Sequence, residues 1–176
     1  MTDDAPTATA KHLSSARDLT MQSVTIARPA DELYAYFRDF SNLPSFMDNV
    51  ERIDVIDQHR SHWVVKAPAG KNVEWDARVT EEEPGRSITW ASEAGADVPN
   101  SGRITFADAG ARGTVVSATI AYDPPAGIVG KVIAKLFQRE PAIQARRDLR
   151  RFKQLMETGE IATASRTRAQ LQEERA

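Results

Sequence analysis

The chain has 176 residues, 41% of them hydrophobic, and 23 Lys and Arg against 25 Asp and Glu leave a formal net charge of −2 at pH 7. This length favours a single domain, and the balanced charge excludes both the basic surface of a general DNA binder and an acidic disordered protein. The absence of cysteine excludes disulfides, thiolate metal sites and cysteine nucleophiles. No apolar run reaches the roughly 18 residues of a membrane span, and no secretory signal pattern is present, so we expect a cytoplasmic protein.

Both ends of the chain are predicted to be flexible. Residues 1–19 are small and polar without an apolar period, and residues 159–176 are rich in Thr, Ser, Arg and Glu. Segments of this composition bury too little apolar surface to offset the entropy lost on ordering. We therefore expect one ordered domain over 20–158, between a flexible arm and a flexible polar tail.

The ordered part begins with a strand and two short helices. Val24 and Ile26 alternate with polar neighbours, and Pro29 stops the strand. Residues 30–40 then show apolar positions at helical spacing, with acidic residues in the first turn, where carboxylates suit the helix dipole. A second short helix is predicted over 41–47.

Six strand-like runs follow, separated by breaks that carry Gly, Pro, Asn or Asp, as turns require. They cover residues 50–57, 61–67, 73–81, 87–93, 102–108 and 114–122. Pairing them as hairpins brings apolar residues opposite one another: Val65 with Trp75, Trp63 with Ala77, Val79 with Trp90, and Phe106 with Val116. A one-residue slip would exchange the two faces of the sheet, so this agreement predicts an antiparallel meander with one apolar face. The opposite face carries Glu74, Asp76, Arg78, Thr89, Arg103 and Thr105.

The C-terminal part predicts a long helix. Pro124 and Pro125 end the last strand, and the apolar run GIVGKVIAKLF leads to Pro141, where we expect a kink or a restart. Beyond it an apolar stripe continues until Gly159, a natural stop. The stripe comprises Ile143, Leu149, Phe152, Leu155 and Met156. A sheet followed by a helix against one face is typical of the α+β class.

The residues also resemble a known family. The segments SVTIARPADELYAYFRDFSNLPSFM, VEWDARVTEEEPGRSITWAS and DLRRFKQLMETGEI are similar to the polyketide cyclase/dehydrase family of the START-like (SRPBCC) superfamily, in its coenzyme-Q-binding-protein-like branch. The resemblance covers about 20–162. It implies a helix-grip fold, in which a seven-stranded curled antiparallel sheet surrounds a long C-terminal helix and leaves an apolar cavity between them. Members of the superfamily bind lipids, sterols, quinones or polyketides, and some are aromatases or cyclases.

The resemblance implies a set of ligand-binding residues. Those predicted on the inner face of the sheet are Trp63, Val65, Trp75, Trp90 and Phe106. Those predicted at the mouth, on the short helices, are Phe37, Phe40, Phe46 and Met47. Leu136 and Phe137 would close the cavity from the helix, and Ser92 or Tyr122 would supply a polar contact. Each of these side chains, taken singly, is also consistent with ordinary core packing.

The predicted function is binding of a hydrophobic small molecule, such as a lipid, quinone, isoprenoid or polyketide-like compound, without a cofactor. Acid–base catalysis needs a titratable group within reach of the transferred proton. The inner face offers mainly Ser92, Thr114 and Tyr122, because alternation sends Glu74 and Asp76 outward. No catalytic residue is therefore assigned. A cyclase or dehydrase that acts by folding a reactive chain is the alternative.

Other sites are less favoured by the sequence. The three histidines, His12, His59 and His62, lack metal-ligand spacing, and the GIVGK segment lacks the spacing of a phosphate loop. The run ARRDLRRFK (145–153) is interpreted as the solvated face of the last helix, its arginines interspersed with Asp148; RNA, a ribosome or an anionic lipid is the alternative partner. Weak contact of Lys131 and Lys135 with a membrane surface is a further alternative.

Overall fold

The structure is a computed structural model that describes residues 18–67, 70–123 and 141–161. These residues form seven strands, two α-helices and two 3-10 helices. In chain order the elements are β1 (Asp18–Ile26), α1 (Ala30–Arg38), a 3-10 helix (Phe40–Ser45), β2 (Val50–Val55), β3 (Arg60–Lys66), β4 (Asn72–Glu83), β5 (Ser87–Ser92), β6 (Asn100–Asp108), a 3-10 turn (Gly110–Arg112), β7 (Thr114–Tyr122) and α2 (Pro141–Thr158). None of the helices among these residues is long and apolar enough to cross a membrane.

All seven strands belong to one curled antiparallel sheet, in the order β1-β7-β6-β5-β4-β3-β2. The predicted α+β class and the seven-stranded sheet are thereby confirmed. Helix α2 covers the β1 edge, where Lys153 Nζ donates to the Thr25 carbonyl at 2.6 Å and the Ala27 N–H donates to Glu157 Oε1 at 2.7 Å. The 3-10 helix contacts β2 at the other edge. The two helices thus each contact one edge strand of the sheet.

Two of the predicted hairpin registers are confirmed. The structure pairs Val79 with Trp90 and Phe106 with Val116. The 3-10 helix, Phe40–Ser45, replaces the second predicted helix at nearly the same place, and Pro44 lies inside it.

The register predicted between β3 and β4 is wrong by two residues. Trp63 pairs with Trp75 and not with Ala77, and Val65 pairs with Val73 and not with Trp75. The loop is shorter than predicted, because the Ala67 N–H donates to the Lys71 carbonyl at 2.7 Å. A shift of two residues leaves every side chain on its predicted face.

A cluster of buried aromatic rings joins α2 to the sheet. Phe152 of α2 is fully buried, and its ring centroid lies 4.8 Å from that of Phe46 and 5.9 Å from that of Phe37. Phe37 in turn contacts Phe106 of β6 edge to face, at 6.2 Å. This aromatic cluster fixes α2 against the concave side of the sheet, which we call the inner face.

The apolar stripe of α2 differs from the prediction at its first residue. Ala145, Leu149 and Phe152 are buried, whereas Ile143 is 47% exposed. At about 3.6 residues per turn, Ile143 lies half a turn around the helix from Phe152, on the solvent side. Gly159 ends the helix as predicted, with φ of +78°.

Several predictions concern residues outside the described ranges. They include the helix before Pro141 with Leu136 and Phe137, the lysines Lys131 and Lys135, and most of the two predicted flexible ends. At its N-terminal end the described chain begins directly with β1, at Asp18.

Candidate functional site

Three tryptophans mark one part of the inner face. Trp63, Trp75 and Trp90 are half-buried, while the neighbouring inner-face residues Ile88 and Phe106 are almost fully buried. The rings of Trp63 and Trp75 are stacked, with centroids 6.1 Å apart and an interplanar angle of 12°. The inner face thus has a closed part around Phe106 and an accessible part lined by indole rings.

Gly102 determines where the ring of Trp90 lies. The two residues pair across β5 and β6, and a Cβ atom added at Gly102 would meet a ring carbon of Trp90 at 2.2 Å. The indole therefore lies flat against the backbone of the next strand, a close approach that only glycine permits. This keeps the ring on the sheet surface.

A second apolar cluster extends the accessible part of the inner face. Val65, Val73 and Val98 are buried in it, and Trp75 and Tyr122 pack against it. Ser92 lies near this end, but its Oγ accepts the Asn100 N–H at 3.0 Å. The Ser92 side chain thus links β5 to β6 in addition to any role toward a ligand.

The residues predicted to line a mouth lie in or against the core. Phe37 and Phe46 belong to the aromatic cluster with Phe152, and Met47 packs against the same core. Phe40 is also a buried member of this core, and its ring in addition lies 6.0 Å from that of Trp63 and lines a surface cleft. The structure thus places all four predicted mouth residues in or against the core, and Phe40 also contacts a tryptophan.

Asp148 is a candidate site residue that the sequence did not reveal. It was predicted on the solvated arginine face, but it is half-buried on the same stripe of α2 as Ala145 and Phe152, whereas Arg147 and Arg150 are exposed. Burial raises the pKa of the Asp148 carboxyl to about 7. A hydrogen bond from Gln144 and the positive charge of Arg147 act in the opposite direction and lower this pKa, but burial has the larger effect. The helical spacing to Phe152, four residues on, is the signal that could have identified it.

Tyr122 of β7 interacts with Asp148 from the sheet side. Burial raises the pKa of the Tyr122 hydroxyl, and the negative charge of Asp148 raises it further. Tyr122 therefore stays neutral at physiological pH. Tyr122 packs against the same valine cluster as Trp75, and Asp148 is close enough for its charge to act on Tyr122.

A separate cleft of about 420 Å³ opens at the end of the sheet where α1 meets the β2–β3 hairpin. Its residues are Arg38, Asp39, Phe40, Val55, Asp57, Gln58, His59, Arg60, Ser61 and Glu82. Arg38 of α1 links the elements that form this cleft. Its Nε donates to Glu82 Oε1 of β4 at 2.8 Å, and its Nη2 donates to the Gln58 carbonyl between β2 and β3 at 2.7 Å. The Tyr34 hydroxyl also donates to Glu82.

Glu82 reaches the inner side of the sheet because of a β-bulge. The register shifts between Val79, which pairs with Trp90, and Glu81, so that Glu82 pairs with the inner-face residue Ile88. The extra residue, Thr80, reverses the alternation of every later side chain in β4. The run Thr-Glu-Glu-Glu contains no apolar residue to reveal this change, so the sequence did not identify Glu82.

The Arg38–Glu82 ion pair predicts a pH effect on stability. The hydrogen bond that Glu82 accepts from Arg38 is the main cause of its lowered pKa. Partial burial acts in the opposite direction and raises the pKa, but its effect is smaller. A lowered folded-state pKa stabilises the fold above the unfolded pKa of about 4.3, and this contribution is lost as the pH falls through the folded value. We expect Glu82→Gln to lower the free energy of unfolding by about 1–2 kcal/mol at pH 7, and by much less near pH 3.

Urea denaturation at the two pH values measures this effect. Glu81→Gln is the matched control, because Glu81 is an exposed neighbour outside this ion pair. A deficit of Glu82→Gln that persists unchanged at the low pH would contradict the assignment.

The outer face of the sheet carries the predicted polar residues. Arg60 pairs with Glu93 at 2.8 Å, and His62 Nδ1 lies 2.7 Å from Asp76 Oδ1. The outward orientation predicted for Asp76 is confirmed. In the described ranges no group of three or more His, Asp or Glu side chains is arranged to hold a metal ion.

A curled seven-stranded antiparallel sheet with a C-terminal helix on its concave side defines a START-like, helix-grip domain. The chain belongs to the family described as polyketide cyclase/dehydrase and lipid transport, whose sequence profile matches residues 26–150.

Solved structures agree with this assignment. A protein of Deinococcus radiodurans is 40% identical, with a TM-score of 0.66, over 81% of this chain and 100% of the other. The ZhuI aromatase/cyclase of Streptomyces sp. R1128 is 16% identical, with a TM-score of 0.62, over 82% and 99%. A START superfamily protein of Mycobacterium smegmatis is 15% identical, with a TM-score of 0.52, over 74% and 97%. The last two show the shared fold.

Proposed function

We propose that this protein binds a hydrophobic small molecule, of the lipid, quinone, isoprenoid or polyketide-like class, against the inner face of the sheet. The observation that carries the proposal is the set of three half-buried tryptophans on that face. Small-molecule sites are concave and mostly apolar, with a few polar groups that orient the ligand. The indole rings supply the apolar wall, and Tyr122 and Asp148 supply the polar end.

The packing of the inner face supports the same proposal. The aromatic cluster around Phe152 secures α2 to the sheet, and Trp63 and Trp90 pack against this core while part of their surface stays exposed. A fully packed interior would bury them as it buries Ile88 and Ile104. Membership of a family described by lipid transport, and the similarity to an aromatase/cyclase fold, support a hydrophobic ligand.

Tryptophan fluorescence provides a direct test. The chain has three tryptophans, and all three lie on the inner face, so its entire tryptophan emission reports on the proposed site. We expect a benzoquinone with a decyl side chain, which quenches indole emission, to give saturable quenching at one equivalent. Quenching that rises linearly without saturation would contradict the proposal.

Variants of two adjacent residues locate the ligand. Trp75 and Glu74 lie next to each other on β4 but on opposite faces. We expect Trp75→Ala to weaken binding of the decyl quinone about tenfold, and Glu74→Ala to leave it unchanged, in calorimetric titrations of folded protein. The expected tenfold loss corresponds to ~1.4 kcal/mol, which is at the upper end of the range of about 0.5–1.5 kcal/mol for an aromatic contact. Equal affinities in the two variants would place the ligand elsewhere.

A further inference from the structure

We propose that residues 19–23 of β1 form a docking site for an extended, acidic segment of a partner protein, which pairs with the edge of the sheet as an additional strand. The site combines an open stretch of backbone, two exposed apolar side chains and the arginines of α2 beside them. It lies on the edge of the sheet and not on its inner face, so the inference goes beyond the proposed function and does not depend on it.

Helix α2 shows which backbone groups of β1 face away from the sheet. The Thr25 carbonyl accepts a hydrogen bond from Lys153 Nζ at 2.6 Å, and the Ala27 N–H donates to Glu157 Oε1 at 2.7 Å. In an antiparallel pair, alternate residues direct both backbone groups toward the neighbouring strand, and the residues between them direct both away from it. The odd-numbered residues of β1 therefore face away from β7, and α2 bonds to this edge at its C-terminal end.

The N-terminal half of the same edge is open in the described part of the chain. Leu19, Met21 and Ser23 are the remaining odd-numbered residues, and no described residue bonds to their outward N–H and C=O groups. Leu19 is 58% exposed, and Met21 is 66% exposed. An added strand gains affinity from main-chain hydrogen bonds and specificity from side chains at alternate positions. These three residues offer both.

The other edge strand, β2, carries the features that block such pairing. Its sequence VERIDV includes three charged residues, and its register shifts between Val50 and Arg52. Charges and bulges are the usual means by which an edge strand avoids association with another chain. Residues 19–23 contain no charged residue and no proline, and they pair with β7 without a register shift. The β1 edge therefore lacks the protection that the β2 edge has.

The charge beside the β1 edge favours an acidic partner. Arg146 of α2 lies against β1, because its Nε donates to Gln22 Oε1 at 3.3 Å. Arg150 follows four residues later, on the same side of the helix. It is exposed, and the described residues give it no carboxylate partner. Two arginines thus lie along the open edge with little negative charge to balance them.

The two sides of this edge define the pattern of the added strand. Its residues opposite Leu19 and Met21 share their face of the sheet, and the intervening residues point to the α2 side. Apolar side chains suit the first set, and Asp or Glu suits the second. Two copies of this chain joined through β1 would instead bring the arginines of both α2 helices together, and like charges in an interface are unfavourable. The occupant we propose is therefore a partner segment that alternates apolar and acidic residues.

Blocked synthetic peptides test the inference. The probe alternates four valines with three glutamates, and the matched control replaces each glutamate with lysine. We expect the glutamate peptide to bind at least about tenfold more tightly at low salt, in fluorescence anisotropy of the labelled peptides, because each exposed ion pair adds a little and its reversal subtracts as much. Equal affinities of the two peptides, or no binding of either, would overturn the inference.

Amide hydrogen exchange locates the bound peptide. At about 90% saturation, the exchange of the Met21 and Ser23 amides should slow about tenfold, because only the unbound tenth of the chains still exchanges. The amides of Thr20 and Gln22 already face β7, so their exchange should change little. The same slowing at Met21 and Ser23 in the protein without peptide would contradict the inference, since another part of the chain or a second copy would then cover the edge.

Two consecutive arginines supply matched variants. Arg146→Glu should weaken binding of the glutamate peptide about three- to tenfold and strengthen binding of the lysine peptide. Arg147→Glu changes the net charge by the same amount, but Arg147 is exposed and lies about 100° around the helix, so it should affect both peptides little. Equal effects of the two variants would mean that net charge and not the β1 edge attracts the peptide, and would overturn the inference.

Discussion

Phe152→Ala is expected to lower the free energy of unfolding by about 3–5 kcal/mol, the cost of removing a fully buried phenylalanine. Phe152 has no exposed surface, and its ring contacts those of Phe46, Phe37 and Tyr36. These contacts join α2 to α1 and to the segment around the 3-10 helix. The loss should appear as a lower urea midpoint, measured by far-UV circular dichroism.

Ile143→Ala is the matched control on the same helix. Ile143 is 47% exposed, so its truncation should change the free energy of unfolding by no more than about 0.5 kcal/mol. Equal losses in the two variants would show that α2 does not pack through the Phe152 stripe. In that case Asp148 would not be positioned toward the sheet either, since it lies on the same stripe.

Gly102→Ala is expected to weaken binding of the decyl quinone about tenfold and to lower the free energy of unfolding by about 1–3 kcal/mol. The added methyl group would occupy the position of the Trp90 ring, which it would meet at 2.2 Å. The clashing atoms belong to a side chain that can move and not to backbone. The indole is therefore pushed off the sheet, into the space proposed for the ligand.

Two comparisons verify this explanation. Ser101→Ala changes the adjacent residue of β6, on the opposite face, and should leave both quantities nearly unchanged. Combining Gly102→Ala with Trp90→Leu removes the clashing ring, so the double variant should be more stable than the sum of the single effects predicts. Strict additivity would mean that Gly102 and Trp90 do not act through contact.

Much of the sheet could be predicted because side-chain alternation has a period of two. Pairs such as Val79 with Trp90 follow from placing apolar residues on one face. The same principle explains the error between β3 and β4, since a shift of two residues changes the partners of Trp63 without changing its face. The length of that loop depends on a backbone hydrogen bond, which alternation does not encode.

The site was less predictable than the sheet. Alternation placed the three tryptophans on the inner face, but the contacts of Phe152 determine which neighbouring aromatic residues are core. Glu82 was missed because the bulge at Thr80 reverses the alternation within a polar run. Asp148 was missed because the four arginines around it resemble a solvated surface, and only its helical position relative to Phe152 shows that it points inward.

Native mass spectrometry of the freshly purified protein tests the central claim, hydrophobic ligand binding, most directly. We predict a species heavier than the polypeptide by the mass of one lipophilic molecule, which organic extraction removes. The extracted protein should then take up the decyl quinone at one molecule per chain. A spectrum showing only the mass of the polypeptide, with no uptake of the quinone after refolding to the native circular dichroism spectrum, would contradict the account.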